Sequence, residues 1–258
     1  MLAKHRSFAK PALVLSGLAV SLGTMPGCSS VAGSASIAQV RIIDASPDAP
    51  GLDILEGSGV LAYNLGFGTI TSYVPIVPGV YSISANGSGT KQQLVSARGT
   101  FGVSQQYTVI IGNVTASLGE NILLDQSQAA PAGQIALRFI DQATKVGGVD
   151  LYLVPSGSQI TDTNPILTNV VFGTNTGYVN VPTGTYTLVA MPTGVKPTLP
   201  VTTTSSRAST TSAAYYTGAS VAYAGGAAST IVLIDQQIVT APSLQVISAQ
   251  DYAPAGTS

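Results

Sequence analysis

The chain has 258 residues, 45% of them hydrophobic but only 8% charged, with 10 Lys and Arg against 11 Asp and Glu. A typical soluble domain carries about 25% charged residues, so solubility here must rest on Ser, Thr, Asn, Gln and Gly. Mild acidity, with no basic patch, argues against nucleic acid and against an anionic membrane surface as partners, and a single Cys excludes an intrachain disulfide.

The N-terminus has a basic start (Lys4, His5, Arg6, Lys10), then an apolar run from Ala12 to about Leu22, then small residues up to Gly27-Cys28. This is the layout of a secretory signal peptide, and the run is too short to span a bilayer. Its end, Met25-Pro26-Gly27-Cys28-Ser29-Ser30, resembles the lipobox of bacterial lipoproteins, in which the Cys becomes the lipidated first residue. Cleavage there removes Lys4, Arg6 and Lys10 and leaves seven cations against eleven carboxylates, a net charge of −4. Ser29 after the Cys points to the outer membrane by resemblance to the Gram-negative sorting rule, with secretion or a periplasmic location as the alternative. A short tether of small residues follows, Ser29 to Ser36.

The rest of the chain is a tandem repeat. Ala38-Gln39-Val40-Arg41-Ile42-Ile43-Asp44 reads as a strand, broken by the turn-rich Ser46-Pro47-Asp48-Ala49-Pro50-Gly51. Leu52 to Leu55 and Val60 to Tyr63 follow, then a block running from Phe67-Gly68 to Tyr73 and on through Pro78-Gly79-Val80-Tyr81. In Tyr81-Ser82-Ile83-Ser84-Ala85 the period-two alternation puts Tyr81, Ile83 and Ala85 on a core face. Gln93 to Ala97, Gln106 to Ile111 and Asn121 to Asp125 complete about eight strands.

After the linker-like Gln126 to Gly133 the pattern restarts at Ile135 to Asp141. Phe172-Gly173, Tyr178, Gly184 and Tyr186 repeat the spacing of Phe67-Gly68, Tyr73, Gly79 and Tyr81, and Val149-Asp150-Leu151-Tyr152 matches Leu52-Asp53-Ile54-Leu55. The closing Ile231 to Gln236 is aligned with Ile122 to Gln126. Two insertions distinguish the second copy, Pro155 to Pro165 and about Val195 to Ala214. The boundaries expected are therefore a signal peptide at 1–27, a lipidated Cys and tether at 28–37, repeats at 38–126 and 135–249 joined by a linker at 127–134, and a flexible tail at 250–258.

Val40-Arg41, the Ala45 to Pro50 turn, Leu52-Asp53-Ile54, the Phe67-Gly68 to Tyr73 block and Pro78-Gly79-Val80-Tyr81 together resemble the bacterial extracytoplasmic family known as domain of unknown function 4397. The second repeat follows the pattern more loosely, with Ala143 to Gly147 in place of the Pro-rich turn. The resemblance implies an all-β fold of two tandem immunoglobulin-like β-sandwiches in a secreted or lipoprotein context, and no established activity. In the Pro-Gly-x-Tyr motif, Pro sets the turn, Gly accepts a positive φ, and the Tyr hydroxyl is free to bond back to the backbone as in a tyrosine corner.

With the one His removed by processing and Cys28 anchored, Ser-His-Asp and Cys-His catalysis, His or Cys zinc sites, haem and iron–sulfur clusters are closed to the mature chain. No cofactor is expected. Asp44, Asp48 and Asp53 around the Pro-rich turn are the candidates for carboxylate chemistry or for calcium, with turn capping as the alternative role. Tyr63, Tyr215, Tyr216 and Tyr223 are candidates for an exposed aromatic face. Arg41 with Asp53 and Arg138 with Asp150 share a spacing of twelve, which predicts one ion pair across an antiparallel hairpin in each repeat. The function expected is a lipid-anchored, non-enzymatic display, binding or structural module with an unidentified protein or glycan ligand. The rival readings are a carboxylate-dependent hydrolase of an envelope polysaccharide and a calcium-stabilised adhesin.

Overall fold

A computed structural model describes residues 37–198, 214–236 and 244–254. The expected signal peptide, Cys28, most of the tether, most of the second insertion and the last residues of the tail lie outside them. Among the described residues each repeat supplies eight strands. The first contains β1 (Ala38–Asp44), β2 (Leu52–Glu56), β3 (Gly59–Leu65), β4 (Val74–Ile76), β5 (Gly79–Gly87), β6 (Gln93–Phe101), β7 (Gln106–Gly112) and β8 (Gly119–Leu124). The second contains β9 (Gln134–Asp141), β10 (Val149–Pro155), β11 (Leu167–Val170), β12 (Asn175–Pro182), β13 (Gly184–Pro192), β14 (Tyr216–Tyr223), β15 (Ala228–Asp235) and β16 (Leu244–Tyr252). Among the described residues the only helical turns are two short 3-10 segments, Thr115–Ser117 and Ile160–Asp162.

The strands form four four-stranded sheets, β4-β1-β7-β8 over β3-β2-β5-β6 in the first repeat and β12-β9-β15-β16 over β11-β10-β13-β14 in the second. Two β-sandwiches result. In both, the first strand runs parallel to the seventh, β1 with β7 and β9 with β15, and every other pairing is antiparallel. The likeness to an immunoglobulin domain extends to the two-layer sandwich but not to the strand order. There the first and second strands share a sheet, whereas here β1 and β2 lie in opposite sheets.

Each sandwich has its own core. Val40, Ile42, Leu52, Ile54, Ile83, Phe101 and Val109 fill the first, and Leu137, Phe139, Leu151, Leu188, Ile231 and Leu233 fill the second. A third cluster joins them: Ile43, Ala45 and Ile110 from the first repeat pack with Ile140, Val232 and Ile234 from the second, under Phe67, Ile70, Leu123 and Ile247. The two inner sheets therefore face one another, within one compact unit. This explains why successive residues of β1, β7, β9 and β15 are buried, with no exposed alternate face. A strand covered on both faces has no solvent side on which to alternate.

The expected tail boundary falls inside β16, which carries Gln250, Asp251 and Tyr252. The expected alignment of Ile231 to Gln236 with Ile122 to Gln126 is also displaced. Ile231 stands beside Phe139 as Val109 stands beside Ile42, so β15 is the counterpart of β7, and β16 takes the place of β8.

Tyr81 and Tyr186 are half-buried rather than enclosed. Their hydroxyls donate to backbone carbonyls just upstream, Tyr81 to Pro78 O at 3.5 Å and Tyr186 to Pro182 O at 2.9 Å. Gly79 and Gly184 do not take the positive φ expected of them; that conformation occurs at Gly68 and Gly173 instead. Their role is close approach. A Cβ on Gly79 would stand 2.7 Å from the Tyr81 hydroxyl oxygen, and one on Gly184 would stand 3.0 Å from the Tyr186 ring. Gly79→Ala is expected to lower stability by about 1–3 kcal/mol in thermal or denaturant unfolding. The same substitution on a Tyr81→Ala background should be nearly neutral, since nothing then occupies the space.

Candidate functional site

The two arginines singled out by spacing sit on the inner-sheet faces, at homologous places in β1 and β9, and their side chains are 2% exposed. Neither pairs with the aspartate twelve residues on. Arg41 Nε donates to Thr108 Oγ1 at 2.9 Å, Nη1 to the Gln250 carbonyl at 3.1 Å, and Nη2 to Asp251 Oδ1. Arg138 repeats the set in the opposite direction, with Nε to Thr230 Oγ1 at 3.1 Å, Nη1 to the Leu124 carbonyl at 3.1 Å, and Nη2 to Asp125 Oδ1. Each arginine thus reaches the last strand of the other repeat.

The aspartates are completed from their own repeats. Asp125 accepts from the Tyr73 hydroxyl at 2.7 Å and from Thr108 Oγ1 at 2.7 Å, and Asp251 accepts from Tyr178 at 2.7 Å and Thr230 Oγ1 at 2.8 Å. Each guanidinium lies 4.9 Å from the centre of the tyrosine ring in its own repeat, Arg41 over Tyr73 and Arg138 over Tyr178. Arg41 Nη2 is also 3.9 Å from Asp125 Oδ2, so the four charges form one buried, neutral cluster. Burial, with Asp125 beside Tyr73 and Asp251 beside Tyr178, pushes both phenols well above their ordinary range and keeps them protonated donors.

Asp53 and Asp150 are backbone anchors. Asp53 accepts from Asn64 N at 2.8 Å and Gly89 N at 2.9 Å, which hold its carboxyl below the usual range. Asp150 accepts from Asn169 N at 2.9 Å and Gly194 N at 3.0 Å. The asparagines at these two anchors are both left-handed, with φ 46° and 54°. Each carboxylate therefore fastens its strand to a left-handed residue of the neighbouring strand and to one turn, and the expected Arg41–Asp53 and Arg138–Asp150 ion pairs do not exist.

The three calcium candidates do not converge. Asp48 accepts from Thr115 N at 2.7 Å, Asp53 holds neighbouring backbone, and Asp44 accepts from Ser46 N at 3.0 Å with Oδ2 unpartnered. Among the described residues no three carboxylate, imidazole or thiol groups come together. Asp141 mirrors Asp44, accepting from Ala143 N at 2.8 Å with its own Oδ2 unpartnered. Burial pushes both carboxyls up to about 6. Of the candidate tyrosines, Tyr63 is 75% exposed, while Tyr215, Tyr216 and Tyr223 lean on the second core.

Sequence reasoning missed Asp125, Asp251, Thr108 and Thr230, and with them the joining of the repeats. It also missed an opening in the second sandwich. The edge strands β14 and β16 are pinned at one end by Leu244 N donating to Tyr215 O at 3.4 Å. Beyond that bond lie a crevice of about 150 Å³, lined by Tyr186, Tyr216, Val221 and Tyr223, and an adjoining shelf of about 350 Å³ toward Ala224 and Gln250. Among the described residues neither is lined by a charged side chain.

The architecture defines a tandem β-sandwich protein whose repeated polar residues bond to one another across the joint and to neighbouring backbone. Residues 38–152, 115 of the 258, match the model of the family described as Domain of unknown function (DUF4397). The match covers the first sandwich and ends within β10. No curated protein matches the chain. Among solved structures, a streptococcal virulence factor described for alpha-glucan binding is 12% identical, with 60% of this chain and 80% of that chain covered and a TM-score of 0.24. The Bacillus anthracis TIE protein is 10% identical, with 77% of this chain and 34% of that chain covered and a TM-score of 0.22.

Two measurements follow from this geometry. Arg41→Met leaves Asp251 buried without its cation, and a loss of about 3–5 kcal/mol is expected in denaturant unfolding. The unsubstituted protein should unfold the two sandwiches in one transition. For Asp44 and Asp141 the folded pKa of about 6 exceeds the ordinary 3.8, so their favourable contribution is complete below about pH 4 and is lost as pH rises through about 6. Asp44→Asn and Asp141→Asn should therefore gain stability over the parent at pH 8, on the order of 1–3 kcal/mol each. The gain should vanish near pH 4.

Proposed function

We propose that the protein is a lipid-anchored, non-enzymatic display or binding module of the bacterial cell envelope, held at the outer membrane through Cys28. The observation that carries the reading is how the described polar groups are used. Arg41, Asp125, Arg138 and Asp251 join the sandwiches, and Asp53 and Asp150 hold neighbouring backbone, so each is engaged in keeping the fold together. The chain's one His and one Cys both fall in the stretch read as signal and anchor. What is left is surface. An N-terminal lipid is the means of holding such a surface at a membrane, since several acyl chains give stable attachment where one gives only marginal binding.

Cys28→Ser followed by cell fractionation tests the anchor. The parent should be found in the membrane fraction and the variant as soluble or unprocessed chain. Processed Cys28→Ser protein that stayed membrane-bound would overturn lipid attachment. Calcium added during thermal unfolding should leave the midpoint unchanged, and envelope polysaccharide should pass through an incubation uncleaved. A calcium-dependent rise or measurable glycan turnover would move the assignment to the adhesin or the hydrolase.

A further inference from the structure

The two sandwiches share a fold, so each is a control for the other. In the first, the mouth between the outer-sheet edge β6 and the inner-sheet edge β8 is plugged. Phe101 is 1% exposed, and Ile122 reaches so far inward that a Cβ on Gly99 would lie 2.8 Å from its Cδ1. The registers identify the counterparts. Gly79 and Tyr81 pair with Phe101 and Gly99, as Gly184 and Tyr186 pair with Tyr223 and Val221, and Val109 pairs with Ile122 as Ile231 pairs with Ser248. In the second sandwich the isoleucine plug has become Ser248 and the glycine beneath it has become Val221, which is 45% exposed. The mouth is open there for want of one side chain.

The edge exposed at this mouth is uncommonly unguarded. β14 reads Tyr216-Thr217-Gly218-Ala219-Ser220-Val221-Ala222-Tyr223, with no charge and no proline, two of the devices by which natural edges deter pairing, and its one register shift against β13 lies between Thr187 and Val189. β6 carries Arg98, β8 carries Glu120, β4 and β12 contain proline, β11 has four residues, and β3 is interrupted by two register shifts. At the wide end of the mouth, Ser220 to Tyr223 pair regularly with β13, so their outward backbone is straight enough to template another strand.

We propose that this mouth binds an uncharged, extended peptide segment, which adds to β14 as a fifth strand and seats one aromatic or branched aliphatic side chain in the crevice beside Tyr186, Tyr216 and Tyr223. Strand addition supplies affinity through main-chain hydrogen bonds and specificity through pockets for alternate side chains. The crevice, at about 150 Å³, is on the scale of cavities that take up a benzene ring. The neutral lining selects against charged segments, whose desolvation it offers nothing to offset. A single chain fits the wedge better than a second copy of the protein, because β16 flanks the opening and a second sandwich would have to bring its own β16 into the same space. This site deepens the binding reading above and rests on it. A failure here leaves the Cys28 fractionation result standing, and a failure there leaves purified protein able to bind.

The test is equilibrium binding of the fluorescently labelled peptide TVTFTVT to the full-length protein. Saturable binding is expected, weakened at least tenfold for TPTFTPT, whose prolines remove main-chain donors. Val221→Gly combined with Ser248→Ile, which installs the plug of the first sandwich, should weaken binding at least tenfold with an unchanged thermal transition. Ser248→Ile alone, a milder change, should give a smaller loss. Absence of saturation, equal binding of the two peptides, or undiminished binding to the plugged protein would each overturn the proposal. So would occupation of the crevice by maltoheptaose to the exclusion of the peptide, or dimerisation abolished by the plug.

Discussion

The fold depends on an exchange of charge between its halves. Burying a guanidinium and a carboxylate is expensive, and their attraction repays the cost only when the geometry is good and the remaining donors and acceptors are filled. Here they are filled. Arg41 has Thr108, a main-chain carbonyl and Asp251, and Asp251 has Tyr178 and Thr230 besides. Because cation and anion come from different repeats, separating the sandwiches would strand two charges on each freshly opened face. The apolar cluster around Ile43, Ile110, Ile140 and Val232 makes the joint dry, and the crossed pairs fix its register.

The joint has the logic of an isologous dimer contained in one chain. In a two-fold interface, if residue i of one copy meets residue j of the other, j of the first meets i of the second. Arg41 meeting Asp251 and Arg138 meeting Asp125 satisfies that rule. One set of residues therefore serves each repeat twice, as a donor on its first strand and as an acceptor on its last. Losing the final strand of the second repeat would accordingly unpair the first strand of the first.

The tandem organisation and nearly every strand of the first repeat were legible in the sequence, because alternation and turn residues are local signals. The crossed pairing was not. A spacing of twelve, preserved in both copies, reads as a hairpin pair, yet Asp53 and Asp150 keep that spacing because each fastens the same neighbouring strand and turn. Spacing within a repeat cannot reveal a contact made between repeats. One signal did point to it: Val109 to Ile111 and Ile231 to Ile234 are unbroken apolar runs, where a sheet with one wet face would alternate. The closing strand was misaligned for a different reason. The segment between β15 and β16 is longer than its counterpart, and the Asp-Gln at 235–236 happens to repeat the Asp-Gln at 125–126.

What the joint holds fixed also marks where the repeats were free to diverge. The inner faces are nearly copies: arginine, threonine, tyrosine and aspartate recur with the same bonds. At the ends and outer edges the copies part. Asp48 reaches from the first turn to Thr115, whereas in the second repeat the strand end supplies the carboxylate and Asp235 accepts from Thr144 and Lys145. That loop closure is conserved with its roles reversed, so it is structural. Phe67 packs into the shared cluster while Phe172 is 42% exposed. The plug of the first mouth is replaced by Ser248, and Val221 in place of Gly99 does not fill the crevice, which stays open. A change that preserves its contact by another route is compatible with selection for stability alone. A change that leaves a gap lined by tyrosines gives up apolar contact the first sandwich retains, and that loss places the search for a ligand at β14 and β16 rather than at the buried charges.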